Sequence, residues 1–85
     1  MIYTKDQEYL KKFGKKLKKI REEKGMSQEQ LANLAEVSLP QITRIEHGTI
    51  NSTICTIKSL ANGLGVETAL LFGFESKTWM FEKPS

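Results

Sequence analysis

The chain has one cysteine, one histidine and one tryptophan among its 85 residues. A single cysteine excludes an internal disulfide and gives no reason to invoke an oxidising compartment. With one histidine and no cysteine pair, no recognisable set of metal ligands is present. There is no glycine-rich phosphate loop, so no metal or cofactor is expected and an enzyme is the weakest function class. No stretch approaches the ~18 consecutive apolar residues of a membrane span. The opening MIYTKDQEYLKK lacks the apolar run of a secretory signal. The expected location is therefore the cytoplasm. A composition of 39% hydrophobic and 27% charged residues supplies one modest core in a chain of this length.

Charge is present but uneven. Residues 1–24 hold nine basic side chains (Lys5, Lys11, Lys12, Lys15, Lys16, Lys18, Lys19, Arg21, Lys24) against four acidic ones, a net of +5. Residues 25–85 carry four basic groups against six acidic, a net of −2. A basic segment on a mildly acidic body points to a polyanionic partner, or simply to a solvated lysine face.

Periodicity predicts helices. Leu10, Phe13, Leu17 and Ile20 share one face of a helix over residues 5–24, with Thr4 and Gln7 able to cap its start and Gly25 just past its end. Arg21 flanks that apolar face, where an unpaired charge would cost several kcal/mol, so it requires a partner. Ser27-x-x-Gln30 and Ser38-x-x-Gln41 both read as capping boxes, and their eleven-residue offset leaves room for a short helix, a tight turn and a second helix. The first of these runs from about Gln28 to Ala35, with Leu31, Ala32, Leu34 and Ala35 inward. The second runs from about Leu39 to His47, with Ile42 and Ile45 inward and Pro40 harmless in the first turn. Rotation of about 100° per residue turns Pro40, Thr43, Arg44 and His47 outward. Leu39, Gln41 and Glu46 take the flanks.

A further helix starts near Thr53, with Ile54, Ile57, Leu60, Ala61 and Leu64 as its inner stripe and Gly63 and Gly65 as its stop. The apolar run 66–74 is expected to be a fifth short helix with Val66, Leu70 and Leu71 inward, since Ala and Leu outnumber β-branched residues; a strand is the alternative. Residues 1–74 then form the domain. Residues 75–85 form a polar tail whose Trp79, Met80 and Phe81 are of the kind that dock on something.

Taken together, Arg21, Gly25–Gln28, Leu31–Ala32, Ile42, Ile45–Glu46, Gly48, Thr56–Ile57, Leu60–Ala61 and Leu64–Val66 resemble the Cro/cI-type helix-turn-helix domain of phage repressors and small bacterial regulators. The resemblance covers roughly residues 10–72. It implies an all-α, five-helix, lambda-repressor-like domain whose second and third helices read double-stranded DNA. It also implies that Arg21 pairs with Glu46 beneath the surface, a pairing the periodicity allows because it sets both beside the core. Two positions depart from the family pattern. Glu36 stands in the turn where glycine is usual, which predicts a strained left-handed residue costing about 1 kcal/mol. Ser52 stands where many relatives have proline.

In this motif the N-terminal part of the third helix enters the major groove while the second lies across the backbone. Arg44 is then the best base reader, since it is long, outward and able to bond guanine O6 and N7 together. Gln41 can read adenine in the same way, while Leu39 and Pro40 can touch only a thymine methyl or fill space. Gln28, Ser38, Thr43, His47 and Asn51 are placed for phosphate or sugar, Gln28 by its resemblance to the family's phosphate-binding glutamine. With so few hydrogen-bonding groups at the helix tip, DNA shape is expected to carry part of the specificity. Cys55 lies off the apolar stripe with no basic neighbour to activate it.

These residues predict a transcriptional regulator, a repressor or operon controller, binding a palindromic operator as a homodimer. Residues 66–74, and Trp79 and Phe81 of the tail, are the candidate dimer surface. A phage-type repressor, a controller of a restriction–modification operon and an antitoxin with a toxin partner all fit. An interaction module that binds protein or an anionic membrane through its basic first helix is a separate class, but that helix needs its apolar face for the core.

Overall fold

A computed structural model describes residues 6–74. Four α-helices follow in order: α1 (Gln7–Glu23), α2 (Gln28–Ala35), α3 (Leu39–His47) and α4 (Ile54–Leu64), and then a single 3-10 turn, Thr68–Phe72. The expected Thr4 cap, the tail 75–85 and its Trp79, Met80 and Phe81 lie outside the described residues.

Each helix starts on a side-chain oxygen that accepts a backbone N–H otherwise left unpaired. Asp6 caps α1 by accepting from Tyr9 N at 3.0 Å. Ser27 forms a complete box: it accepts from Gln30 N at 3.0 Å, and Gln30 Oε1 accepts from Ser27 N at 2.7 Å. At Ser38 only half the expected box forms, the bond from Gln41 N at 3.3 Å. Thr53 accepts from Thr56 N at 3.2 Å and begins α4.

Leu17, Leu31, Ile42, Ile45, Leu60, Leu64 and Leu71 form the fully enclosed centre. Phe13, Ile20, Ala32, Ala35 and Ala61 complete the buried cluster. α1 packs on α3, and α2 on both α3 and α4. Gly14 marks the α1–α3 crossing, since a Cβ there would lie 2.5 Å from the Glu46 carbonyl oxygen and closer still to that of Ile45. Gly48 ends α3 with φ 74 and also rests on the Lys11 backbone, so both its conformation and its bareness are required.

Several expectations are corrected. The fifth helix is a 3-10 turn, because glycines at 65 and 73 leave a run too short to offset helix nucleation. Within it Leu71 enters the core and Phe72 meets the Phe13 ring at 5.0 Å, but Leu70 faces out. Leu34 lies too far round α2 to be covered and is 59% exposed. Ile54 is on the α4 stripe, but at the helix end, beyond the elements that cover it, and is 84% exposed. Gly63 does not stop α4. It lies inside the helix, where a Cβ would come within 3.1 Å of the Ala35 nitrogen, and Gly65 (φ 72) makes the turn. Glu36, by contrast, adopts the left-handed conformation expected of it, with φ 58.

Candidate nucleic-acid interface

Beneath the α2–α3 surface a carboxylate organises the site. Arg21 reaches from α1 to Glu46 on α3, with Nε donating to Oε2 at 2.6 Å and Nη2 donating to Oε1 at 3.1 Å. Both residues are buried. The remaining terminal nitrogen, Nη1, donates to the Met26 carbonyl at 2.7 Å, tying down the segment that leads into α2. The hydrogen bond to Glu46 outweighs burial and raises the Arg21 pKa above its ordinary value. The guanidinium therefore stays charged, and the two planar groups meet as a bidentate pair.

Gln28, the first residue of α2, adds a third partner to that carboxylate. Its Nε2 donates to Glu46 Oε1 at 2.8 Å. Its Oε1 lies 3.1 Å from Thr43 Oγ1 on α3. Thr43 Oγ1 is also 3.2 Å from the Leu39 carbonyl, one turn back. One polar chain thus runs from α1 through α3 to α2 and returns to α3. The family resemblance implies the Arg21–Glu46 end of this chain, and periodicity sets both residues beside the core. Gln28 and Thr43 are both expected at the interface from sequence, but not their contact, which depends on how the two short helices cross.

The outer side of α3 is open. Leu39, Pro40, Arg44 and His47 are exposed, Gln41 and Thr43 are half-buried, and Ser38 sits exposed at the helix start. Leu39, Pro40, Gln41, Thr43, Arg44 and His47 are carried along one short helix, with Gln28 beside them on α2. Asn51 is exposed in the connection after α3. In that connection Thr49 Oγ1 donates to the Arg44 carbonyl at 3.1 Å and secures the end of the helix. Of the α1 lysines, Lys11 and Lys18 lie seven residues apart on either side of Gly14, along the strip facing α3. Lys12, Lys15, Lys16 and Lys19 instead border a shallow cleft with Gly73 and Phe74. Among the described residues no helix is long and apolar enough to cross a membrane. The same residues contain no group of three His, Cys, Asp or Glu side chains able to hold a metal.

Comparison with known proteins places this geometry. The helix-turn-helix family profile matches residues 17–71. The immunity repressor protein of Bacillus phage phi105 is 32% identical over 63 residues, spanning 74% of this chain but 44% of the repressor. The chain therefore covers under half the length of that relative. Control protein C.MunI of Mycoplasma sp is 36% identical over 62 residues, spanning 72% of this chain and 84% of the control protein. Among solved structures, the restriction-modification controller protein C.AhdI from Aeromonas hydrophila superposes with a TM-score of 0.73 at 38% identity. That match covers 74% of this chain and 96% of C.AhdI.

Proposed function

Because the chain belongs to the helix-turn-helix family, we propose that it binds double-stranded DNA in a sequence-specific manner and regulates transcription as a repressor or operon controller. The observation that carries this reading is the open outer side of α3, held at a set angle to α2 by the buried Arg21–Glu46 pair and the half-buried Gln28 bonded to it. In the docking mode of this motif that side enters the major groove. Arg44 and Gln41 then meet base edges, with Leu39 and Pro40 against thymine methyls. The N-termini of α2 and α3, with Gln28 and Ser38, meet phosphates, and His47 and Asn51 lie at the backbone edge. Lys11 and Lys18 add the long-range attraction.

Half-site recognition by so small a domain calls for two copies, so the reading includes a homodimer on a palindromic operator. Residues 1–74 are its DNA-binding unit. The run 66–74, where Leu70 is exposed, and the tail with Trp79 and Phe81 supply its contact surface. The cytoplasm is its compartment. A controller role is favoured over a phage-type repressor because the controller proteins are matched over most of their own length.

Selection of bound duplexes from a random DNA pool, followed by a salt titration, tests the whole reading. A two-fold symmetric site is expected, with affinity falling steeply as salt rises. Failure to bind any duplex at low salt would remove the DNA-binding function.

A further inference from the structure

The polar chain behind α3 commits its shared protons within the protein. A threonine hydroxyl has one proton to donate and lone pairs to accept with. Thr43 Oγ1 stands 3.1 Å from Gln28 Oε1 and 3.2 Å from the Leu39 carbonyl. Both neighbours are acceptors, so whichever takes the proton, it is committed within the protein. The Gln28 amide cannot flip to offer its NH2 group to Thr43, because Nε2 already donates to Glu46 Oε1 at 2.8 Å. That carboxylate, paired with Arg21, only accepts. Donors therefore converge on Glu46 from Arg21 and Gln28, and the Thr43 proton points back along the chain. What Thr43 keeps for an outside partner is its free lone pairs and its methyl group.

A phosphate oxygen, which also only accepts, finds no donor on Thr43. A base amino group does find an acceptor there, and in the major groove that means adenine N6 or cytosine N4. Building on the DNA-binding reading, we infer that Thr43 is a specificity-determining residue. It accepts a hydrogen bond from the exocyclic amino group of a base, and Gln28 is the positioning residue that holds its hydroxyl in that sense. This replaces the sequence-based expectation of a backbone contact for Thr43. Gln28 retains its second Nε2 proton for a phosphate, so one side chain serves both the backbone contact and the base contact.

The probe is the duplex that the wild-type protein enriches from a random pool. Each adenine of its half-sites is replaced in turn by purine, and each cytosine by 2-pyrimidinone; both analogues lack only the amino group. Such a replacement is expected to weaken wild-type binding about three- to tenfold for each half-site that carries it, the range of a single neutral hydrogen bond. The base that responds tells adenine from cytosine. Thr43→Val keeps the methyl and loses the hydroxyl. It should bind the unmodified duplex weaker by the same factor, ignore the analogue, and bind random DNA as the wild type does.

Gln28→Met should lose the same base preference, measured as a ratio so that its own phosphate contact cancels. Melting curves verify that both variants are folded. Equal loss by Thr43→Val on selected and random duplexes identifies a phosphate contact and overturns the inference. No loss at all overturns it too, as does a Gln28→Met protein with undiminished preference at that base. If the wild type enriches no duplex, the DNA-binding reading itself fails and this inference falls with it.

Discussion

Replacing Gly14 by alanine sets two effects of opposite sign against each other. In an exposed helix interior the change would stabilise the protein by about 1 kcal/mol, because alanine loses less backbone entropy. Here the new Cβ would stand 2.5 Å from the Glu46 carbonyl oxygen and 2.8 Å from its carbon, and nearer to the Ile45 oxygen. These atoms belong to the α3 backbone and cannot turn aside as a side chain does. Ordinary contact begins near 3.4 Å, so α1 and α3 must part by about 1 Å, enough to forfeit up to half of the dispersion energy between facing atoms. Overpacking against a rigid wall costs about 1–3 kcal/mol and occasionally more. Arg21 lies two turns further along the same strip, so the opening also stretches its 2.6 Å bond to Glu46. After the propensity gain, a net loss of up to about 2 kcal/mol is expected, which for a domain of this size lowers Tm by up to roughly 8–16 °C. Urea and thermal unfolding followed by helical circular dichroism measure both quantities. Gly63→Ala is the internal comparison: one of its neighbours, at 3.2 Å, is the flexible Leu31 Cδ1, and its stability should stay within about 1 kcal/mol of wild type. A Gly14→Ala protein as stable as the wild type, or more so, would show the α1–α3 crossing to be soft and refute the reasoning.

Glu46→Gln should destabilise the domain by about 3–5 kcal/mol because it leaves Arg21 buried and unpaired, whereas Arg21→Met with Glu46→Leu should recover most of the loss in urea titrations. The Arg21 pKa is raised by folding, so the pair's contribution is present below the unfolded arginine's pKa and lost only as pH rises through the folded one. Stability measured up to about pH 10 should therefore show no alkaline loss from this pair. Glu36→Gly should stabilise by about 1 kcal/mol, since glycine relieves the left-handed strain at φ 58; an unchanged urea midpoint would remove that strain from the account. Arg44→Ala should lower discrimination by about 1–3 kcal/mol at one guanine while leaving random-DNA binding nearly intact, and competition binding that shows equal loss on all sequences would reassign it to the backbone. Truncation after Phe74 should weaken self-association by sedimentation if the tail contributes to the dimer, and an unchanged profile would exclude the tail.

Local chemistry alone determined much of this protein. Ser27, Ser38, Thr53 and the glycines at 25, 48 and 65 mark helix ends because capping and left-handed turns depend on a few adjacent residues. The spacing of Phe13, Leu17 and Ile20, and of Ile42 and Ile45, identified their inner faces for the same reason, and it set Arg21 and Glu46 beside the core. Other features were settled only when the helices packed. Leu34 and Ile54 satisfy an apolar period, yet among the described residues no element covers them, and periodicity cannot say where a neighbouring helix ends. Gly63 reads as a stop in sequence and Gly14 attracts no reading at all, but they are where α4 meets α2 and where α1 meets α3, and closeness between helices leaves no local signal. The Gln28–Thr43 contact is of the same kind. The two lie on different helices fifteen residues apart, and only the crossing of α2 over α3 brings them within a hydrogen bond.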